Sequence, residues 1–130
     1  RKKIESFAAE LAATNHTEEQ INELKELLEL QEFYVEKKNA ELIKHLDSQF
    51  HHLLYKLTGS TVFYDTLVPL HKKIQKYRKA SVEKSSRAEA SVKEHRKIFE
   101  AIVARDAKLA SEKTLKHIEN AYNHITGEKN

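Results

Sequence analysis

Apolar residues along this chain recur at three- and four-residue intervals, the spacing of helices that bury one face. Ile4, Phe7, Ala8 and Leu11 share a face of a helix predicted from Arg1 to about Ala13, and Thr14-Asn15-His16 breaks it. Thr17-Glu18-Glu19-Gln20 then has the form of a capping box, in which hydroxyl and amide serve backbone N–H groups that lack helical partners. A second helix carries Ile21, Leu24, Leu27, Leu28 and Val35 and ends near Lys38. Asn39 is placed to cap a third, with Ile43, Leu46, Phe50, Leu53, Leu54 and Leu57, which Gly59 terminates. The fourth is expected from about Thr61 to Ala80, bent at Pro69, where a backbone donor is missing. Ser81 to Ala90 has little apolar content and reads as a loop or a short helix. Ser91 starts the next helix, with Val92, His95, Ile98, Phe99 and Ile102 stacked along it. Asp106 caps the last, which carries Ala110, Leu115, His117, Ile118, Ala121 and Ile125 before Gly127. Six or seven helices with short connections predict an all-α antiparallel bundle.

Composition agrees with that pattern and narrows the chemistry. The 130 residues suit one domain, 1–130, with a core of its own. Two glycines and one proline, with 33% charged residues, favour helix over sheet. Cysteine is absent, so disulfides and thiolate metal sites are excluded and any metal must be held by nitrogen and oxygen. No apolar run approaches the roughly 20 residues that span a bilayer, and no signal-peptide pattern opens the chain. The expectation is a cytoplasmic protein without membrane contact. Beginning at Arg1 rather than Met, the chain reads as part of something longer. The net charge of +3 is modest, but between His71 and Lys97 ten Lys or Arg face only Glu83, Glu89 and Glu94. Such a segment suits an anion or a solvated helix face. No helix-turn-helix, zinc finger or stacking platform accompanies it, so DNA binding by these residues alone is not expected.

Four residues concentrate the candidate chemistry. Asp47 and His51 stand four apart on the third helix, close enough to chelate one ion. His95 and His117 lie beside the apolar stripes of two later helices. Imidazole nitrogens and one carboxylate oxygen form a ligand set for a divalent metal. Equally, each histidine can be a core residue with a single hydrogen bond, and spacing alone leaves both readings open in a chain with eight histidines. His16, His45, His52, His71 and His124 fall in loops or off the main stripes and are set aside.

Longer motifs sharpen this. Arg1-x-x-Ile4-Glu5 precedes Ala8-Ala9-Glu10-Leu11-Ala12-Ala13, and Asp47-x-x-Phe50-His51 follows on the third helix. Glu94-His95-x-x-Ile98-x-x-Ala101-Ile102-x-x-x-Asp106-x-x-x-Ala110 leads to Thr114-Leu115-Lys116-His117-Ile118. In that order the chain resembles the effector-binding C-terminal domain, called FCD, of the FadR-like branch of GntR-family transcription regulators. The resemblance implies a helical bundle holding one divalent metal on Asp47, His51, His95 and His117, with zinc first and nickel or manganese as alternatives. It implies a small carboxylate or sugar-acid effector able to complete the coordination, with Arg1 and Arg78 as candidate guanidinium clamps on that carboxylate. It further implies a homodimer that reaches DNA only through an N-terminal winged helix-turn-helix outside this chain. Thr58-Gly59-Ser60 departs from the family pattern, in which Asn is common at the last position. Ser60 can cap the next helix instead.

Two other classes of function bear on the same residues. A metalloenzyme would use an open coordination position to activate water. Four protein ligands leave less room for that, and Glu94, next to His95, points about 100° away around the helix. A purely structural helical adaptor would make the histidines incidental.

Overall fold

The computed structural model describes the backbone of residues 2–83 and 85–126 and the side chains of 2–73 and 87–123. It is all-α, with six helices in the described residues: α1 Lys2–Asn15, α2 Glu18–Glu36, α3 Ala40–Lys56, α4 Thr61–Glu83, α5 Ser85–Val103 and α6 Ala107–Thr126. The expected caps are in place. Thr17 and Gln20 form the reciprocal capping box of α2, Asn39 accepts from the Leu42 N–H, and Asp106 accepts from the Leu109 N–H. Ser60 accepts from the Phe63 N–H at 3.4 Å and so opens α4 as the sequence suggested. Gly59 adopts φ 75°, a left-handed conformation that glycine takes without steric cost.

Helix α1 packs on α6, α5 and α3. Helix α2 lies on α3 and α5, and α4 covers α3, α5 and α6. The main core joins Leu24 and Leu28 of α2, Phe50, Leu54 and Leu57 of α3, and Ile98, Phe99 and Ile102 of α5. A smaller cluster of Ala8, Tyr55 and Leu67 binds α4 to α1 and α3.

Three features differ from the expectation. The buried face of α1 is Ala8, Ala9, Ala12 and Ala13, whereas Ile4 and Phe7 are exposed. Small side chains let α1 approach its neighbours closely, and the bulky residues are turned out. Leu115 is exposed for a related reason: α6 buries Ala110, Thr114, His117, Ile118 and Ala121. The described residues of Ser81 to Ala90 are helical, since α4 runs to Glu83 and α5 begins at Ser85. Within it Arg87 and Ala88 are buried, Arg87 through an ion pair rather than apolar area. That anchor is invisible to hydrophobic periodicity. Helix α4 passes through Pro69 without interruption. The side chain of Ile125 lies outside the described residues.

Candidate metal centre

Helical spacing places Asp47 and His51 on the inner face of α3, where Leu46, Phe50 and Leu54 are also buried. α5 brings His95 to the same point and α6 brings His117. All four are at most 4% exposed. The structure thus gathers the four predicted residues. Asp47 Oδ1 lies 3.6 Å from the Nε2 atoms of both His51 and His95, and His95 Nε2 lies 3.3 Å from His117 Nε2. One ligand atom from each of His51, His95 and His117 falls within 4.8 Å of the others. Ligands held at about 2.0–2.1 Å by a tetrahedral zinc are separated by roughly 3.3 Å from each other. The three contacts at 3.3 to 3.6 Å are of that size.

The surrounding residues decide which nitrogen of each ring faces inward. His117 Nδ1 lies 2.6 Å from Glu94 Oε1. An ionised carboxylate can only accept, so Nδ1 carries the proton, and in the neutral ring that ligates a metal Nε2 presents its lone pair to the centre. Burial pushes the Glu94 carboxyl upward, but hydrogen bonds from His117 and Arg87, with the charges of Arg87 and of a protonated, metal-free His117, outweigh it and hold the group at about 2. Arg87 grips Glu94 with two nitrogens, at 2.8 and 3.1 Å, and Asn120 donates to it at 2.9 Å. His95 Nδ1 likewise faces the Gln31 amide oxygen at 3.1 Å, which accepts its proton and leaves Nε2 bare. The His95 ring is stacked on Phe50, with centroids 4.3 Å apart. With both rings neutral, two imidazole lone pairs meet at 3.3 Å beside a carboxylate. They repel unless a cation lies among them. Both ring nitrogens of buried His51 lack a hydrogen-bond partner in the described residues, which such a cation would remedy. The donor set fits a divalent metal of the nitrogen- and oxygen-preferring kind.

Sequence reasoning missed three participants. His71 of α4 is buried, with its ring centroid 4.6 Å from that of His51 and its Nε2 4.0 Å from Asp47 Oδ2. The expectation that it lies off the buried stripes is not met. Leu67, one turn earlier and fully buried, was the available signal that this face of α4 turns inward. Glu94 and Gln31 orient His117 and His95 from positions 23 and 64 residues away, and no local pattern marks such pairs. His16 is also buried, but far from this chemistry: its Nδ1 hydrogen-bonds the Ala12 carbonyl. His45 is exposed as expected, and His52 sits beside the cluster, its ring 5.7 Å from that of His71. Burial, then the His51 and Lys72 charges, lower the His52 pKa against the pull of Asp47. Arg1 and the side chains of Arg78 and His124 lie outside the described residues.

Beside Asp47 and His95 lies a cavity of about 10 Å³, bounded also by Gln31, Ile43, Ser91 and Val92. That is the space of a single water molecule.

Comparison with known proteins places this architecture. The chain is 29% identical over 119 residues to the HTH-type transcriptional repressor RspR of Escherichia coli K12, covering 92% of this chain and 52% of that protein. It is equally similar to an uncharacterized HTH-type transcriptional regulator, YdfH, of Shigella flexneri. It therefore spans about half the length of the curated relatives it matches. E. coli McbR/YncC shares the fold, with a TM-score of 0.86 at 18% identity over 97% of this chain and 60% of that one. The family model for the FCD domain matches residues 1–120. The chain belongs to the FCD domain family, the effector-binding domain of GntR-type transcription regulators.

Proposed function

We propose that this chain is a metal-containing sensor domain in which one divalent ion, zinc in the first instance, is held by Asp47, His51, His95 and His117. One observation carries the reading: Glu94 and Gln31 fix the tautomers of His117 and His95 so that two bare Nε2 atoms converge at 3.3 Å beside Asp47. Partners of this kind are what metal-binding histidines use to set ring orientation and basicity. When bound, the ion offers an effector carboxylate a coordination position. Arg1 and Arg78 are the proposed clamps on that carboxylate.

The one-water cavity beside Asp47 and His95 is too small for an organic acid. An effector entering at this cavity would need α2, α3 and α5 to separate, and a ligand that binds only the wider state shifts the population toward it. In a homodimer that shift would change the spacing of DNA-reading domains attached to the sensor, the arrangement by which two-fold regulators recognise two-fold sites. The proposed setting is the cytoplasm, with DNA contacted only through an N-terminal helix-turn-helix domain beyond these residues. A hydrolytic role is not favoured. Glu94, the carboxylate adjacent to His95, is committed to His117, Arg87 and Asn120 and is not placed as a general base.

Metal content after dialysis, measured for the parent, His95→Ala, His117→Ala and His16→Ala proteins, tests the site. One ion per chain is expected in the parent and His16→Ala, with loss in the other two. Equal content in all four refutes the assignment. Thermal-shift screening of small organic acids with and without metal tests the effector class, and a hit unaffected by chelation and by Arg1 and Arg78 substitution places the pocket elsewhere. A monomer in sedimentation refutes the dimer.

A further inference from the structure

We propose that His71 is a positioning residue for Asp47, donating from Nε2 to Oδ2 so that Oδ1 stays turned toward His51 and His95, and that this contact ties α4 to the metal ligands. The inference rests on the metal-site reading above. Asp47 is divided between two sets of neighbours: Oδ1 faces His51 and His95 at 3.6 Å, and Oδ2 faces His71 at 4.0 Å. The His71 ring is 1% exposed and lies against His51 and, at 6.4 Å between centroids, Tyr55. His71, like Asp47, stands outside the group of three imidazoles whose ligand atoms converge within 4.8 Å. What separates His71 from the ligands is the oxygen it faces, Oδ2 rather than the Oδ1 that faces His51 and His95.

The chemistry favours this division. A carboxylate that ligates through one oxygen keeps its second oxygen as an acceptor, and burial makes that oxygen costly to leave without a donor. A neutral imidazole supplies one N–H. Closing the gap from 4.0 Å to hydrogen-bond length requires a movement of about 1 Å, smaller than a rotamer change. Leu67, on the same face of α4, is buried against Ala8 and Tyr55 and sets the depth of the helix. His71 is thus the residue by which α4, which supplies none of the four proposed ligands, senses the ion.

Cobalt(II) in place of the native metal tests this. Each imidazole bound to high-spin cobalt gives one strongly shifted, solvent-exchangeable N–H proton signal, so the bound histidines can be counted by NMR. The parent should show three. Competition titration should show cobalt affinity lowered by about 10- to 100-fold in His71→Phe, which keeps the ring volume without a donor. His71→Gln, whose amide nitrogen can replace Nε2, should recover most of the affinity. It also serves as the informative variant if the Phe substitution impairs folding. Four shifted signals in the parent, of which His71→Phe removes one, would make His71 a ligand and overturn the positioning role. So would cobalt binding by His71→Phe or by His71→Gln that fails to follow this order, with three signals retained; the metal site itself would then stand. A parent that binds no cobalt overturns the metal-site reading and this inference together.

Discussion

Glu94→Gln is the most informative single substitution outside the proposed ligand set. The carboxylate takes four hydrogen bonds from His117, Arg87 twice and Asn120. Its side chain is 18% exposed, and the Arg87 side chain facing it is 7% exposed. An amide keeps the shape but removes the charge and turns one acceptor into a donor aimed at other donors. Two hydrogen bonds to a charged acceptor are forfeited, each worth about 1.5–3 kcal/mol. With partial solvent access screening the pair, a net destabilisation of about 3 kcal/mol is expected at pH 7. The pH dependence supplies a second check. Because the folded carboxyl is held at about 2 against an ordinary 4.5, its stabilisation is complete above 4.5 and is lost as pH falls toward 2. The unfolded chain takes up the proton first, so the parent's advantage should shrink by about 0.8 kcal/mol at pH 4 and about 1.4 kcal/mol at pH 3.5. Urea unfolding of both proteins with chelator, at steps from pH 7 to 3.5, measures this. Metal titration at pH 7 should show about 10- to 100-fold weaker binding in the variant, through loss of His117 orientation. A stability difference that is constant with pH, or unaltered metal affinity, would refute the role assigned to Glu94.

Chelation should lower the melting temperature, since a hundredfold excess of metal over Kd contributes about 2.7 kcal/mol, or roughly 10 °C for a domain of this size; an unchanged midpoint would show that no structural ion is held. Metal affinity should also fall below about pH 6, where protons compete for the imidazoles, and calorimetric titration at pH 5 and 7 would register it. Gly59→Ala should cost about 1 kcal/mol in chemical unfolding. Its added Cβ would meet Asn15 at an ordinary 3.6 Å, so the cost arises from φ 75° rather than from crowding.

Local signals in the sequence served well where local physics governs. The caps at Thr17, Asn39 and Asp106 depend on residues three apart, and each is found as expected. Asp47, His51, His95 and His117 were legible because each lies within a helical motif that also carries buried apolar residues. His71 was not, because Lys72 and Lys73 beside it make that turn of α4 read as solvent-facing. The alanine face of α1 was hidden by Ile4 and Phe7, whose hydrophobicity dominates any periodic reading although packing selects size. Arg87 and Glu94 stabilise the start of α5 through charge, which a search for apolar stripes passes over.

The alanine seam of α1 has a mechanical consequence. Ala9, Ala12 and Ala13 share a buried cluster with Ala110 of α6, the helix that bears His117, and α1 lies directly against α6. Alanine has no side-chain torsion with which to absorb a displacement, and close-packed interiors transmit strain. A tug on His117 is therefore handed on as movement of backbone against backbone, without being spent on rotamer changes along the way. Amide exchange in α1 should respond to ion binding at a centre to which α1 contributes no ligand. Helix α1, which contributes no proposed ligand, is thereby placed to pass a displacement of α6 to the helices on its other side.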